Sequence, residues 1–482
     1  MNIHRHHVNL SSQDLKIHRP HGMLVWLTFG IAQACAAQSL DLMQAWDRAR
    51  QADPQMVATQ STRSTAQALR QQADAVWKPA IVASATGGAM SQQTQMTGAE
   101  FSMPGQPSNP GATFNTSVNH GTLGRWALQA RQPLYNPERD AQRQQLGLGA
   151  QAAGWQADGQ QQQLMLTTAQ RYFDVVVADK RVQVLRQQWQ AVERAHTEAK
   201  DRYALGDAPI TDTHEAVARA RLLQAQLSAA ENDRSMARIV LTDSIGGASA
   251  SIALWAPGTL RSWHLPSPED AWAVARTRNP SLLLQAAQVE SSRQEASKHT
   301  TSAAPTLDAV AALGRDRLSG QGDYGAASNT QSQQMLGVSL TVPLYTGGWR
   351  NGKWREALSQ MDRANAELEI AQRQLQQQLR ATWLALNTGP MRVQALQEAL
   401  TASAARLDAT RLGRQVGDRT TLELLSAEND HALAELSLLQ ARVDLLLARL
   451  RLDALQGQLD ERSLQDVNAS LVQTGADASI QR

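Results

Sequence analysis

The chain has 482 residues, a formal net charge of +2 at pH 7 and only 4% aromatic residues. The near-neutral charge gives no electrostatic basis for binding nucleic acid, and a single cysteine excludes an internal disulfide framework and a cysteine-based zinc site. Low aromatic content, with abundant Ala, Gln, Leu and Arg, favours long helices packed through small side chains over a thick globular core.

Residues 1–37 predict a signal peptide. Basic residues and histidines precede an apolar run at 23–31, and residues 34–36 offer an A-x-A cleavage site. This apolar run is too short to span a bilayer as a helix, which argues against a membrane anchor. Cys35 is an alternative lipidation site, although Ala32 stands where a lipobox prefers leucine. Because no other run is long enough for a transmembrane helix, a membrane-bound mature chain would have to cross as strands.

Paired helix starts predict an internal tandem duplication. Asp53 and Asn279 each precede a proline, the combination of an N-cap with proline at the first helical position. Both follow a short amphipathic segment in which Trp46 and Trp272 occupy matching places. The members of each pair are 226 positions apart, so the duplication begins near the mature N-terminus.

Alternating apolar and polar residues predict two β-hairpins, at about 80–135 and about 306–345. In the first, a segment at 104–111 rich in Gly, Pro, Ser and Asn is interpreted as the loop. Pro133 and Pro343 are 210 positions apart, whereas the starts of the hairpins are 226 apart. The first hairpin therefore holds about 16 extra residues, which we assign to its loop.

Each β-hairpin leads into a predicted helical hairpin, at 137–245 and 348–456. Heptad spacing of apolar residues indicates coiled-coil packing, and a second apolar row suits the wall of a helical tube. A plain antiparallel bundle with a wide core stripe fits the same pattern. At 1.5 Å per residue the helix at 137–205 would measure about 100 Å. Gly389-Pro390 predicts a kink or break in the second long helix.

These elements divide the chain into four parts, of which the first is the leader at 1–37. A first structural repeat occupies 38–257, a second occupies 258–457, and a polar tail at 458–482 is predicted to be partly disordered. The turns of the two helical hairpins carry Gly206 and Gly417, which are 211 positions apart.

The four predicted strands impose a constraint on assembly. Strands of about ten residues can cross an outer membrane, but about eight strands are needed to close a barrel. Since open strand edges are not stable in lipid, several copies must share one barrel. Helices of about 100 Å cannot be buried by such strands and must form their own rod or tube on one side of the membrane.

Several motifs, in the order in which they occur along the chain, resemble those of the TolC-like outer-membrane factors, which are the exit ducts of tripartite efflux pumps and type I secretion systems. They are residues 42–46, 52–54, 304–308 and 342–348 and the helical turns at 205–212 and 416–420. The resemblance covers nearly all of the mature chain and implies an α+β membrane protein that assembles as a homotrimer. It implies one shared 12-stranded β-barrel, with four strands per chain, continued by a long α-helical coiled-coil tunnel through the periplasm.

The resemblance also implies a location and partners. The barrel would lie in the lipid of the outer membrane of a Gram-negative bacterium, and the periplasmic tip of the tunnel would be closed at rest. A periplasmic adaptor (membrane fusion) protein and an inner-membrane transporter, ABC or proton-driven, would open it.

The family closes its tip with hydrogen bonds and ion pairs between neighbouring coiled coils. The resemblance assigns that lock to Thr211, Asp212, Arg414 and Arg419. Arg414 stands where well-known members have a tyrosine, so a more ionic lock is expected here. The alternative is a solvated ion pair at a helix end, worth under about 1 kcal/mol.

Two further sets of residues follow from the resemblance. Glu423 and Ser426 match a ring of acids inside the tip. Serine replaces a common aspartate there, so a trimer would present three carboxylates rather than six. The alternative is that Glu423 is a first-turn acid favoured by the helix dipole. The adaptor-docking turns would be formed by Leu205, Gly206, Asp207, Val416, Gly417 and Asp418. Their alternative is simple turn chemistry.

No catalytic motif stands out. The sequence lacks H-E-x-x-H, a Walker loop, G-x-S-x-G and a dinucleotide fingerprint, so we expect no enzyme, cofactor or metal site. The predicted function is an export channel for polypeptide by type I secretion, with a toxin as one candidate cargo, or for small molecules. The alternatives are the outer-membrane component of multidrug efflux only, and a periplasmic coiled-coil structural protein that forms no channel.

Overall fold

A computed structural model of the chain describes residues 39–101, 104–105, 107, 109–206, 209–247, 253–258, 263–301, 304–323 and 325–473. The expected signal peptide, its cleavage site and Cys35 lie outside the described residues, as does Asp207 of the first helical turn.

Helices dominate the described residues. They are α1 Leu42–Ala52, α2 Pro54–Ala75, α3 Pro137–Ala204, α4 Ile210–Ser244, α5 Pro268–Arg278, α6 Pro280–Thr301, α7 Trp349–Gln415, α8 Thr421–Leu455 and α9 Glu461–Asn468. The first four have 11, 22, 68 and 35 residues, and the next four have 11, 22, 67 and 35. In the part of the chain described, no helix combines the length and apolarity needed to cross a membrane.

The strands form two sheets. They are β1 Ser39–Leu40, β2 Ala80–Phe101, β3 Asn109–Tyr135, β4 Ala253–Pro257, β5 Thr306–Gly322, β6 Gly325–Thr341 and β7 Leu471–Gln473. The large sheet is antiparallel with the order β2-β3-β5-β6, and the small sheet has the order β1-β4-β7. β2 and β6 each pair on one side only, so the outer edge of each is open in a single chain.

The predicted helix starts at the two X-Pro sites are confirmed. The Asp53 carboxylate accepts a hydrogen bond from the Gln55 amide at 2.8 Å. The Asn279 side chain accepts from the Leu282 amide at 3.0 Å and donates to the Leu455 carbonyl at 2.9 Å. The second cap therefore also fastens the start of α6 to the end of α8.

Two aromatic side chains fasten the long helices to the start of each half. The Tyr172 hydroxyl donates to the Leu40 carbonyl at 3.0 Å, and the Trp383 indole donates to the Pro266 carbonyl at 2.8 Å. The two donors are 211 positions apart and the two acceptors 226, which are the spacings found in the sequence. Tyr172 lies in the largest apolar core, where α1, α3, α8 and α9 meet.

The tail at 458–482 was predicted to be partly disordered, and its residues 461–473 are ordered. α9 packs on α1, and Leu464 is only 1% exposed. The Asn468 side chain accepts from the Leu42 amide at 3.0 Å, and Arg50 pairs with Glu461 at 2.8 Å. The sequence did not reveal this helix because eight residues hold too few apolar positions to show a period.

The strands of the large sheet are longer than the predicted ten residues. β2 has 22 residues and β3 has 27, whereas β5 and β6 have 17 each. Pairing of β2 with β3 continues to Phe101 and Asn109, so the extra residues extend the strands as well as the loop. The outer parts of β2 and β3 could not be predicted from alternation, because their many Gln, Thr, Ser and Asn residues place polar side chains on both faces.

One face of the large sheet is apolar and the other is polar. Directly opposed residues share a face, and the register pairs Leu307 with Leu340 and Ala311 with Leu336. Leu336 is 88% exposed, so the apolar face is uncovered in a single chain. The opposite face carries Arg125, Arg131, Asp308 and Asp316.

A kink or break was predicted at Gly389-Pro390. The break is wrong, because α7 continues through Pro390, and the kink stays a prediction. A Cβ atom at Gly389 would lie 2.6 Å from the Leu445 side chain on α8. The glycine therefore permits close packing of α7 on α8, and that packing holds the helix together where proline removes one backbone hydrogen bond.

We expect Leu464→Ala to destabilise the folded protein by about 2–5 kcal/mol, because the substitution leaves a cavity under α9. Thermal or denaturant unfolding of the purified protein measures the effect. Gln465→Ala, an exposed change on the same helix, is the matched control and should lie within about 0.5 kcal/mol of wild type. Equal stability of the two variants would contradict the packing of α9.

Candidate functional site at the helical tips

The ends of α3 and α7 share one turn geometry. Gly206 has a φ of +77° and Gly417 a φ of +82°, the left-handed conformation that favours glycine after a helix. After α7, the Gly417 amide donates to the Arg414 carbonyl at 3.1 Å and the Asp418 amide to the Gly413 carbonyl at 2.8 Å. These two bonds form a Schellman motif, which turns the chain sharply towards α8.

Each turn presents an exposed apolar side chain. Leu205 is 84% exposed and Val416 is 74% exposed, and both cap the end of a long helix. They are 211 positions apart, so the two hairpins of a chain end in equivalent apolar tips. Of the predicted docking residues, Asp207 lies outside the described residues.

Glu423 forms a capping box at the start of α8. Its backbone amide donates to the Thr420 hydroxyl oxygen at 3.1 Å, while its carboxylate accepts from the Thr420 amide at 2.8 Å. The Arg419 guanidinium donates to the same carboxylate at 3.0 Å. Ser426, one turn further along α8, is exposed. Glu423 is therefore an acid in the first turn of α8, as the alternative reading of the sequence predicts, and it also caps the helix within the single chain.

These contacts shift the titration of Glu423. The hydrogen bond from the Thr420 backbone amide, followed by that from Arg419, lowers the pKa of the Glu423 carboxyl below its ordinary value. A lowered pKa in the folded state means that the contribution of Glu423 to stability is complete above the ordinary pKa. This contribution is lost as the pH falls through the lowered pKa, so acid weakens the start of α8.

Arg419 is positioned by a glycine on the preceding helix. A Cβ atom at Gly413 would lie only 2.7 Å from Cγ of Arg419, so the arginine stem packs over α7 where a side chain is absent. Arg419 also lies 4.0 Å from the Asp418 carboxylate. Its guanidinium is thereby held between the turn and the first residues of α8.

Arg414 joins the two helical hairpins of one chain. Its guanidinium donates to the carboxylate of Glu198, which lies on α3 two turns before Gly206. Sequence reasoning missed Glu198 as a gate residue, although an acid near the end of α3 was available as a partner for the unusual arginine. The contact shows that the tips of the two hairpins are linked by charge.

The predicted lock residues are not brought together within a single chain. Thr211 and Asp212 are exposed at the start of α4, and no ion pair in the described residues joins Asp212 to Arg414 or Arg419. The predicted contact lies between coiled coils of neighbouring copies, so it stays a prediction.

Further from the tip, polar contacts continue between α3 and α8. The Gln188 amide donates to the Asn429 side chain at 3.2 Å, and Lys180 pairs with Glu435 at 2.5 Å. Asn429 is the polar residue that fills a step of the apolar heptad row, and its partner satisfies it there. Among the described residues, no group of three or more His, Cys, Asp and Glu side chains could hold a metal ion.

Comparison with known proteins gives consistent matches over most of the chain. The outer membrane efflux protein family matches residues 45–247 and 273–458. Outer membrane protein TolC of Vibrio cholerae is 30% identical over 332 residues, which are 66% of this chain and 73% of that protein. Proteases secretion protein PrtF of Dickeya chrysanthemi is 25% identical over 439 residues, covering 90% of this chain and 92% of the relative.

A solved structure shows the same fold. The crystal structure of the outer membrane protein VceC from Vibrio cholerae superposes with a TM-score of 0.67, covering 86% of this chain and 96% of that one. Sequence identity is 16%, so this likeness concerns the arrangement of helices and strands.

We expect Thr420→Ala to weaken the start of α8, because the N-cap oxygen is lost at a cost of about 1 kcal/mol. Amide hydrogen exchange in the first turn of α8 should become about fivefold faster. Thr421→Ala is the matched control, since the Thr421 hydroxyl makes no hydrogen bond within the described structure. Equal exchange rates in the two variants would contradict the capping role.

Proposed function

The chain belongs to the outer membrane efflux protein family, and on that premise we propose that three copies build one export duct through the outer membrane. The chain is an outer-membrane protein whose helical part extends into the periplasm. Its relatives are outer-membrane channels of efflux and secretion, so the coarse function is that of an exit duct. The proposal adds the trimer, the gate and the cargo.

The large sheet carries the proposal of a shared barrel. It has an uncovered apolar face and open outer edges on β2 and β6, and its four strands are too few to close. Three copies joined edge to edge supply twelve strands, with the apolar face towards lipid and the polar face towards the lumen. Every backbone amide and carbonyl in lipid then has a partner.

The matching helices support an internal tandem duplication and a common tunnel wall. Helices of 68 and 67 residues follow β3 and β6, and each is followed by a helix of 35 residues. Each chain would therefore contribute two equivalent helical hairpins, one in the first repeat at 38–257 and one in the second repeat at 258–457. In a trimer, six such hairpins form a tube of about 100 Å.

We assign the gate of the tube to the charged tips. Thr211 and Asp212 of a neighbouring copy are the proposed partners of Arg414 and Arg419. Within the chain, the contact between Arg414 and Glu198 supports a closed tip, because it holds the two hairpins together. Glu423 and Ser426 form the proposed ring inside this gate.

The apolar tips supply the proposed contact with an adaptor. Leu205 and Val416 are exposed beside Gly206 and Gly417, and burial by a partner would remove apolar surface from water. A periplasmic adaptor bound there, together with an inner-membrane transporter, ABC or proton-driven, would separate the hairpins. Energy for export comes from that transporter.

Two classes of cargo are consistent with the relatives. PrtF, whose name is that of a proteases secretion protein, matches 90% of the chain, which supports a polypeptide cargo, with a toxin as one candidate. The efflux family supports small molecules. A periplasmic structural protein without a channel is disfavoured, because it would leave the apolar face of the sheet exposed to water.

We expect the protein to fractionate with the outer membrane and to migrate on gels as a heat-modifiable trimer, since the open strand edges are paired between copies. Membrane fractionation followed by electrophoresis with and without heating tests this. Recovery from the soluble periplasm as a monomer would overturn the shared barrel.

We expect low single-channel conductance at rest and a several-fold rise in Arg414→Ala, Arg419→Ala and Asp212→Ala, because each removes a charge from the proposed lock. Recordings in planar bilayers measure the change. Arg363→Ala, an exposed change on α7 outside the tip, is the control and should match wild type.

The partner of Arg414 can be identified in the same recordings. If the contact within the chain keeps the tip closed, Glu198→Ala should raise conductance as much as Arg414→Ala does. If Asp212→Ala raises conductance and Glu198→Ala does not, the contact of Arg414 that keeps the tip closed is with Asp212 of a neighbouring copy. Unchanged conductance in all of these variants would overturn the lock while leaving the barrel intact.

A further inference from the structure

The arginines on the polar face of the large sheet are neutralised within the chain. Arg125 contacts the Asp316 carboxylate through two hydrogen bonds of 2.9 and 2.7 Å. Arg131 donates to the buried Asp308 carboxylate. Each of these guanidinium groups therefore has an aspartate on the neighbouring strand.

The arginines on the apolar face have no such partner. Arg315 and Arg317 flank Asp316 on β5, so their side chains lie on the opposite face, and both are exposed. In the described sheet, neither makes an ion pair or a hydrogen bond to another side chain. Their directly opposed residues on β3 and β6 are uncharged: Trp126, Ser332, Gly124 and Thr330.

These two arginines lie at the border of the apolar face. Leu307, Ala309, Ala311 and Leu313 precede them on the same face of β5, so Arg315 is the first polar position after the apolar band. Trp126, directly opposite Arg315, is 49% exposed. Tryptophan beside arginine at the end of an apolar band is typical of the level at which lipid headgroups lie.

The orientation of the chain identifies the leaflet. α3 and α7 follow the ends of β3 and β6 that lie furthest from the hairpin turns, whereas Arg315 and Arg317 lie on the turn side of the apolar band. With the helices in the periplasm, the arginines face the outer leaflet. Anionic groups in that leaflet are the nearest source of negative charge for them.

We propose that Arg315 and Arg317, with Trp126 beside them, bind the phosphate groups of a phosphorylated glycolipid in the outer leaflet, that is, lipopolysaccharide. The inference rests on the proposed function, since the sheet must span the outer membrane. Two residues apart on a strand, the arginines are spaced by about 7 Å, and each guanidinium can hold a phosphate through two hydrogen bonds.

A lipid fits this surface better than a free anion or an acidic protein. The arginines are continuous with an apolar band that must itself be covered by acyl chains, so one molecule can satisfy both the charge and the apolar surface. The surface is made by β3, β5 and β6 of one chain and needs no residue from a neighbouring copy.

Binding of purified lipid A to the detergent-solubilised full-length protein tests the inference. We expect wild type to bind bis-phosphorylated lipid A about 25-fold more tightly than the same lipid after dephosphorylation, with each arginine contributing about fivefold. The double variant Arg315→Gln/Arg317→Gln should bind both lipids equally. Millimolar inorganic phosphate should not displace the lipid; displacement would indicate a free-anion site and overturn the proposal.

A charge-matched control is available on the helices. Arg363→Gln/Arg373→Gln removes the same charge from exposed positions of α7 and should keep wild-type binding. Equal affinity of wild type and the Arg315/Arg317 variant would overturn the proposal, and so would an equal loss in the control. Should the double variant fail to give the heat-modifiable form, Arg315→Gln and Arg317→Gln are measured singly, and unchanged affinity in both would overturn it.

The channel recordings separate this inference from the proposed function. The Arg315 and Arg317 variants should conduct like wild type, because these residues lie on the lipid face and away from the tips. Loss of lipid binding with normal conductance supports the headgroup site. Absence of any channel in wild type would instead count against the proposed function.

Discussion

Backbone hydrogen bonding along the outer edges of β2 and β6 is the constraint on which the rest of the architecture depends. In a single chain these edges are open, and in lipid each unpaired amide or carbonyl would cost several kcal/mol. In the proposed trimer, joining copies would remove that cost and would also fix the positions of the helices that continue from β3 and β6. The contact of Arg414 with Glu198 is present in the single chain, whereas the proposed tunnel wall would depend on how the sheet is completed.

Sequence alone predicted the features that depend on local chemistry. Asp53 and Asn279 were recognised as helix caps because a short polar side chain followed by proline is typical of a helix N-terminus. Strand lengths in the first β-hairpin were missed, since most residues beyond Met90 are polar on both faces and give no regular alternation. α9 was missed because Leu464 and Val467 form too short a pattern, and only their burial against α1 reveals the helix.

The candidate site divides in the same way. Gly206 and Gly417 were recognised as equivalent turns, and Glu423 as a first-turn acid, because these roles depend on a few neighbouring residues. The contact of Arg414 with Glu198 joins residues 216 positions apart on different helices. Its existence depends on how those helices are rotated and staggered, which periodicity does not specify. A contact across copies depends in addition on the geometry of assembly.

The near-equal lengths of α3 and α7, 68 and 67 residues, limit how such a chain can change during evolution. Adding one residue to a helix lengthens it by about 1.5 Å and rotates everything beyond it by about 100°. Such an insertion would turn the apolar heptad row away from its neighbour and move one tip out of level with the others. Tolerated insertions and deletions should therefore come in whole heptads matched between the halves, or fall in the β2–β3 hairpin, where the two halves already differ in length.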